Sequence, residues 1–217
     1  MGWGGGGDAG GRHMTRKPDE ASDVSLVERL IFGQPGITLQ RFEDREIVAG
    51  STPDFKVLRC ANLVAFCEVK SPRDDWLEGQ IMAVPPGQIA GGVRSDPTFN
   101  RLARHVKKAA SQFNAVNAGR AVPNILVFVN HADASHAGDL IETLTGTCLT
   151  DSGERIPTVR RHISERWIGQ ARHQIDLYIW IDRKTSSVQY LFNDEASTPV
   201  VAGLCDLLGL DPSNIRR

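Results

Sequence analysis

Residues 53–70 read PDFKVLRCANLVAFCEVK. Two apolar runs flank a small break near Asn62, the pattern of two β-strands joined as a hairpin. Yet Asp54 opens the first run and Glu68 and Lys70 close the second, three charges that a sheet interior rejects unless something compensates them. Side chains alternate along a strand, so Glu68 and Lys70 share one face with Val64 and Phe66, while Cys67 and Val69 point to the other. Asp54 joins the first face only if it pairs with an even-numbered residue such as 68. That register centres the hairpin on Ala61 and needs an odd-length loop around Cys60, Ala61 and Asn62, or a bulge that does the same job.

Outward from the hairpin, the chain alternates helical and extended patterns. Val24, Val27, Leu30 and Ile31 fall at helical spacing, with Ser22 or Asp23 as N-cap and Gly33 at the end. ITLQRFE (37–43) reads as a strand. After the hairpin, residues 71–97 form a long Gly- and Pro-rich segment, a length that in a compact domain belongs to function or disorder. Asp96-Pro97 opens a second helix whose apolar face is Leu102, Val106, Ala109, Ala110 and Phe113. PNILVFVN (123–130) is nearly all apolar, as a central strand covered on both faces should be. A helix over about 135–145, a hairpin from 174–182 and 188–193, and a last helix from Thr198-Pro199 to about Leu208 complete the series. The expected fold is α/β: a mixed central sheet flanked by helices on both faces.

The 217 residues are 41% hydrophobic, enough for one domain with a substantial core. The glycine-rich opening MGWGGGGDAGGRHM cannot pack, so residues 1–17 are expected to be a disordered arm or an expression tag, and 18–217 the single domain. A formal net charge of −1 excludes a global positive field, so any nucleic-acid binding must be local. Four cysteines without CxxC spacing, Cys60 and Cys67 among them as small apolar fillers, favour a reducing cytoplasm. Nothing approaches a membrane span or the apolar core of a signal peptide, so a cytoplasmic protein without a membrane partner is expected.

Two carboxylates brought together repel, and one stays protonated unless a cation intervenes. Oxygen ligands without His or Cys at ligand spacing suit a hard cation, Mg²⁺ or Mn²⁺, rather than Zn²⁺. Such an ion polarises a phosphodiester and acidifies bound water, while the Lys70 ammonium can orient that water and stabilise developing charge. Pro53-Asp54 followed across a hairpin by Glu68-Val69-Lys70 resembles the PD-(D/E)xK nuclease superfamily. The resemblance covers about residues 22–130 and implies a restriction-endonuclease-like core ordered α-β-β-β-α-β. It implies that Asp54 and Glu68 bind the metal, helped by the Val69 carbonyl, with Glu28 on the first helix completing the shell and Glu43 or Glu46 as substitutes. It further implies that Lys70 positions water and that Gln112, on the second helix, sits near the phosphate. The substrate it implies is nucleic acid, DNA before RNA, and many small members act as homodimers.

An acid-x-lysine triplet is weak by itself. Asp182-Arg183-Lys184 is another, in a polar turn without a Pro-Asp strand before it, and Pro18-Asp19 lies in the N-terminal arm. Only 53–70 combines both halves with an apolar strand ending in the charges. In isolation Asp54 would read as a turn residue and Glu68 and Lys70 as a solvated strand end. Arg101, Arg104, Lys107 and Lys108 make the second helix basic and are candidates to hold a nucleic-acid backbone, and residues 155–172 carry five arginines. His131, His162 and His173 lack ligand spacing and read as surface or satisfied histidines. The competing readings are a catalytically silent or partner-dependent binding domain of the same fold, and an ordinary α/β protein in which Asp54 points away from Glu68.

Overall fold

A computed structural model describes residues 20–47, 52–73, 98–133, 135–150 and 152–214, with isolated positions between 79 and 88. The N-terminal arm, Pro97 and most of the 71–97 segment therefore lie outside the described residues. Among those described, the chain runs α1 (Glu20–Ile31), β1 (Ile37–Arg41), β2 (Phe55–Arg59), β3 (Asn62–Lys70), α2 (Thr98–Asn117), β4 (Asn124–Asn130), α3 (Ala137–Thr145), β5 (Thr147–Leu149), β6 (Arg155–Pro157), α4 (Arg161–Arg172), β7 (Leu177–Asp182), β8 (Val188–Phe192) and α5 (Thr198–Leu208). Six strands form one mixed sheet in the order β1-β2-β3-β4-β7-β8, and β5 and β6 pair separately. β1 to β3 are an antiparallel meander, β4 and β7 add in parallel, and β8 returns antiparallel.

The β2–β3 turn consists of Cys60 and Ala61, both at positive φ (49° and 67°), as a two-residue hairpin of matching twist requires. Cys60 is thus an exposed turn residue and not an apolar filler, whereas Cys67 is buried. A two-residue turn alone would pair position 54 with 67 and aim Asp54 at the wrong face. The register instead shifts after Leu58↔Leu63, so that Val57 faces Ala65, Phe55 faces Cys67, and Val64 is the extra residue. This bulge restores the parity that sets Asp54 opposite Glu68.

Alternation sorts the core into two layers. Val57, Ala65, Cys67, Val127 and Ile179 pack with Val27 and Ile31 of α1 and with Val201 and Leu204 of α5. Phe66, Leu126, Phe128 and Trp180 pack with Val106 and Phe113 of α2, Leu140 of α3 and Ile168 of α4. Each such side chain contributes about 1.5–3 kcal/mol on burial. All seven residues of β4 are buried, because helices cover both sides of it. No described helix is long and apolar enough to cross a membrane.

Two departures from the sequence reading, and one choice between alternatives it left open, matter for the site. Asp23 is no N-cap: α1 begins at Glu20, and Asp23 lies in its first turn, buried. The β5–β6 ribbon and α4 had no predicted counterpart, since their strands have three residues each and α4 buries only Ser164 and Ile168, too little to print a periodicity. Of the two readings given for His131, the satisfied one holds: only 11% of its side chain is accessible, and it pairs with Asp23.

Candidate functional site

Asp54 and Glu68 are linked by reciprocal backbone bonds. The Asp54 N–H donates to Glu68 Oε2 at 2.8 Å, and the Val69 N–H donates to Asp54 Oδ2 at 2.8 Å. Lys70 Nζ pairs with Glu68 Oε1 and lies 3.5 Å from Gln112 Oε1 on α2. Gln112 is oriented in turn, its Nε2 donating to the Thr52 carbonyl at 2.7 Å. Four of the residues singled out from sequence, Asp54, Glu68, Lys70 and Gln112, therefore meet where β2 begins, β3 ends and the second half of α2 passes.

This arrangement is electrostatically tense. Glu68 is fully buried, and burial first, then the Asp54 charge, push its carboxyl up to about 7 from the ordinary 4.5, against the lowering effect of Lys70. Burial, with Asp54 and Glu68 adding to it, also holds the Cys67 thiol well above its ordinary range, which leaves it an inert core residue. Packing alone gives no reason to keep a carboxyl there.

A cleft of about 320 Å³ opens beside the pair, lined by Glu20, Asp23, Val24, Asp54, Val69, Lys70 and Ser71. Glu20, on the first turn of α1, lines it together with Asp23 and pairs with Arg41 at 3.2 Å. Glu28 is exposed and does not line it; eight residues further on, it stands about 12 Å along the helix axis from Glu20. The other acids named from sequence are engaged elsewhere, Glu46 with Lys56 at 2.7 Å and Glu43 with Arg45 at 2.7 Å.

The cleft also borders a second buried carboxylate that sequence reading missed. Asp23 Oδ2 accepts from Ser71 Oγ at 2.5 Å and lies 2.8 Å from His131 Nε2, while Arg183 Nη1 donates to Oδ1 at 2.9 Å. Arg183 also donates to Ser22 Oγ at 3.0 Å. Ser71, His131 and Arg183 each follow the last residues of β3, β4 and β7, so the sheet's carboxyl end gathers what 160 residues of sequence separate. The decoy triplet 182–184 resolves accordingly: Asp182 accepts from the N–H groups of Lys184 and Thr185 in a turn, and Arg183 serves Asp23.

Of the basic candidates on α2, Arg104, Lys107 and Lys108 are exposed, whereas Arg101 is half-buried with its guanidinium on Thr98 Oγ1 at 3.4 Å. Their field converges with that of the charged pair at His105. Burial, then Lys70, Arg104, Lys108 and Arg101, lower its imidazole to about 4, so it is neutral at neutral pH.

The donors near Asp54 fit a hard divalent cation. Among the described residues no three His, Cys, Asp or Glu side chains gather closely enough to cage a metal. Mg²⁺ makes no such demand, since it keeps several waters and takes one or two carboxylates. Asp54 and Glu68 would supply these, with Glu20 on the same cleft, and a cation would relieve the repulsion that raises Glu68. Compared with models of protein families, with curated proteins and with solved structures, the chain matches none.

Proposed function

We propose that this protein is a Mg²⁺-dependent nuclease that hydrolyses nucleic-acid phosphodiester bonds, DNA before RNA. The observation that carries the reading is the pairing of Asp54 with a buried Glu68 whose only cation among the described residues is Lys70, beside a cleft. A carboxylate pair this costly is retained where a cation and a phosphate are to be handled. The order α1, β1, β2, β3, α2, β4 supports reading the core as restriction-endonuclease-like, the order that the resemblance of residues 53–70 implies.

In this reading Asp54 and Glu68 hold Mg²⁺ or Mn²⁺, with the Val69 carbonyl beside them and Glu20 taking the part assigned from sequence to Glu28. The bound ion supplies Lewis acidity to the phosphodiester and to a water. Lys70 orients the attacking water and donates to the phosphate as charge develops, since its ammonium already sits between Glu68 and Gln112. Gln112, fixed by the Thr52 carbonyl, limits where Lys70 can go. Arg104, Lys107 and Lys108 attract the backbone and Arg101 steadies the start of the helix.

The test is cleavage of plasmid, linear duplex, single-stranded DNA and RNA with Mg²⁺, Mn²⁺ or EDTA, by wild type, Asp54→Ala and Lys70→Ala. Metal-dependent cleavage lost in both variants, with circular dichroism unchanged, supports the proposal. No cleavage of any substrate, with DNA binding retained, replaces it by the binding-domain reading.

A further inference from the structure

Where α2 meets α4, an aromatic side chain stands open beside several cations. Trp167 is 46% exposed, and Ile163, one turn earlier on the same helix face, is 47% exposed. The Lys107 ammonium of α2 lies 5.3 Å from the centroid of the Trp167 ring. The twenty residues of α2 contain no carboxylate, and the acid nearest in sequence to Trp167, Glu165, is bound to Arg161 at 3.2 Å. Among the described residues, Lys107, Lys108 and Arg166 have no carboxylate partner. A protein-docking patch depletes its centre of charge, whereas this one is cationic and complements a polyanion.

We infer that Trp167, with Lys107, Lys108 and Arg166, forms a platform for unpaired bases that feeds single-stranded nucleic acid toward the Asp54–Glu68–Lys70 cleft. A base in single-stranded nucleic acid presents a π-face on which an indole stacks, and the adjoining cations take the phosphates; a duplex hides those faces in its own stack. Continuity with the cleft follows from helix geometry. At 100° per residue, Lys107, Arg104, Lys108 and Gln112 succeed one another around α2, spanning about 140° of its circumference from the Trp167 side to the Lys70 side. Burial first, then Lys70, Arg104 and Lys108, lower the His105 imidazole, in keeping with these cations sharing one neighbourhood. The delivery step rests on the nuclease reading; the binding step does not.

The experiment measures fluorescence anisotropy of a labelled oligothymidylate and of a duplex of equal length, in EDTA, with wild type, Trp167→Ala and Trp167→Phe. Trp167→Ala should lose about tenfold in single-strand affinity and less than about twofold for duplex, while Trp167→Phe, which keeps a stacking ring, stays near wild type. Lys107→Ala and Lys108→Ala should each flatten the salt dependence of single-strand binding by about 0.7 in log–log slope. Equal losses on both substrates, no effect of Trp167→Ala, or no single-strand binding by wild type at low salt overturns the platform. So does conversion of a dimer to a monomer by Trp167→Ala in sedimentation, which would make the patch a self-association surface. Trp167-dependent binding without cleavage by wild type sinks the nuclease reading alone, and single-strand cleavage indifferent to Trp167 sinks the delivery step alone.

Discussion

Glu68 and Asp23 are both buried carboxylates, Asp23 lining the cleft and Glu68 lying behind the Asp54 and Lys70 that line it, and their neighbours differ in kind. Asp23 is surrounded by donors: a hydroxyl, an imidazole and a guanidinium converge on its two oxygens. Glu68 has one ammonium and one backbone N–H, with a second carboxylate across the strand pair. The first arrangement ties α1 to the ends of three strands and asks for nothing more. The second stays short of positive charge, and in the proposed nuclease reading that deficit is where a cation or a developing charge would be received. Burial alone does not separate these two acids; the sign of the neighbours does.

The strongest way to break this contrast is by substitution at both ends. Asp54→Ala and Lys70→Ala should each lower cleavage by about 10³-fold, as loss of a charge-stabilising group does, with the fold intact by circular dichroism. Asp23→Asn should do the opposite. Leaving Arg183 and His131 without their acid should reduce stability in urea by about 3 kcal/mol while the folded fraction cleaves normally. Loss of cleavage in Asp23→Asn without loss of stability would mean that the two acids form one site.

The pH dependence sharpens the same point. Because Glu68 titrates near 7 when folded and near 4.5 ordinarily, between those values the folded chain holds a proton that the unfolded chain has released. Stability from this group is therefore present below about pH 4.5 and is lost as pH rises through 7. His105, lowered to about 4, acts with the reverse sign between 6.5 and 4, so the comparison is made by difference. In metal-free buffer, Glu68→Gln should gain on wild type as pH rises, levelling above pH 7 at up to about 3 kcal/mol. Thermal melts across that range decide it, and a flat difference would remove the tension ascribed to Glu68. The smallest effects separate the two α1 acids: Glu20→Ala should lower cleavage about tenfold and exposed Glu28→Ala less than about twofold.

Much of the fold was legible because its signals are local. The all-apolar run at 124–130, the spaced face of α2 and Gly209 at the end of α5, where φ is 66°, each follow from the period or the backbone freedom of a few adjacent residues. The α4 helix escaped notice because its exposed face is arginine-rich and its buried face is two residues wide. The placing of Glu28 has a similar origin. Periodicity found the helix but not its first turn, which carries Glu20 at the cleft while Glu28 lies two turns further along, exposed.

The sequence by itself determined that Asp54, Glu68 and Lys70 sit at the edges of an apolar hairpin, because alternation along a strand is a property of the chain. Only the tertiary structure decided that they meet. The bulge at Val64 corrects the parity of a two-residue turn, α2 brings Gln112 to Lys70, and the parallel ends of β3, β4 and β7 collect Ser71, His131 and Arg183 around Asp23. These are long-range contacts, fixed by packing two helical layers on one sheet, and no local spacing encodes them.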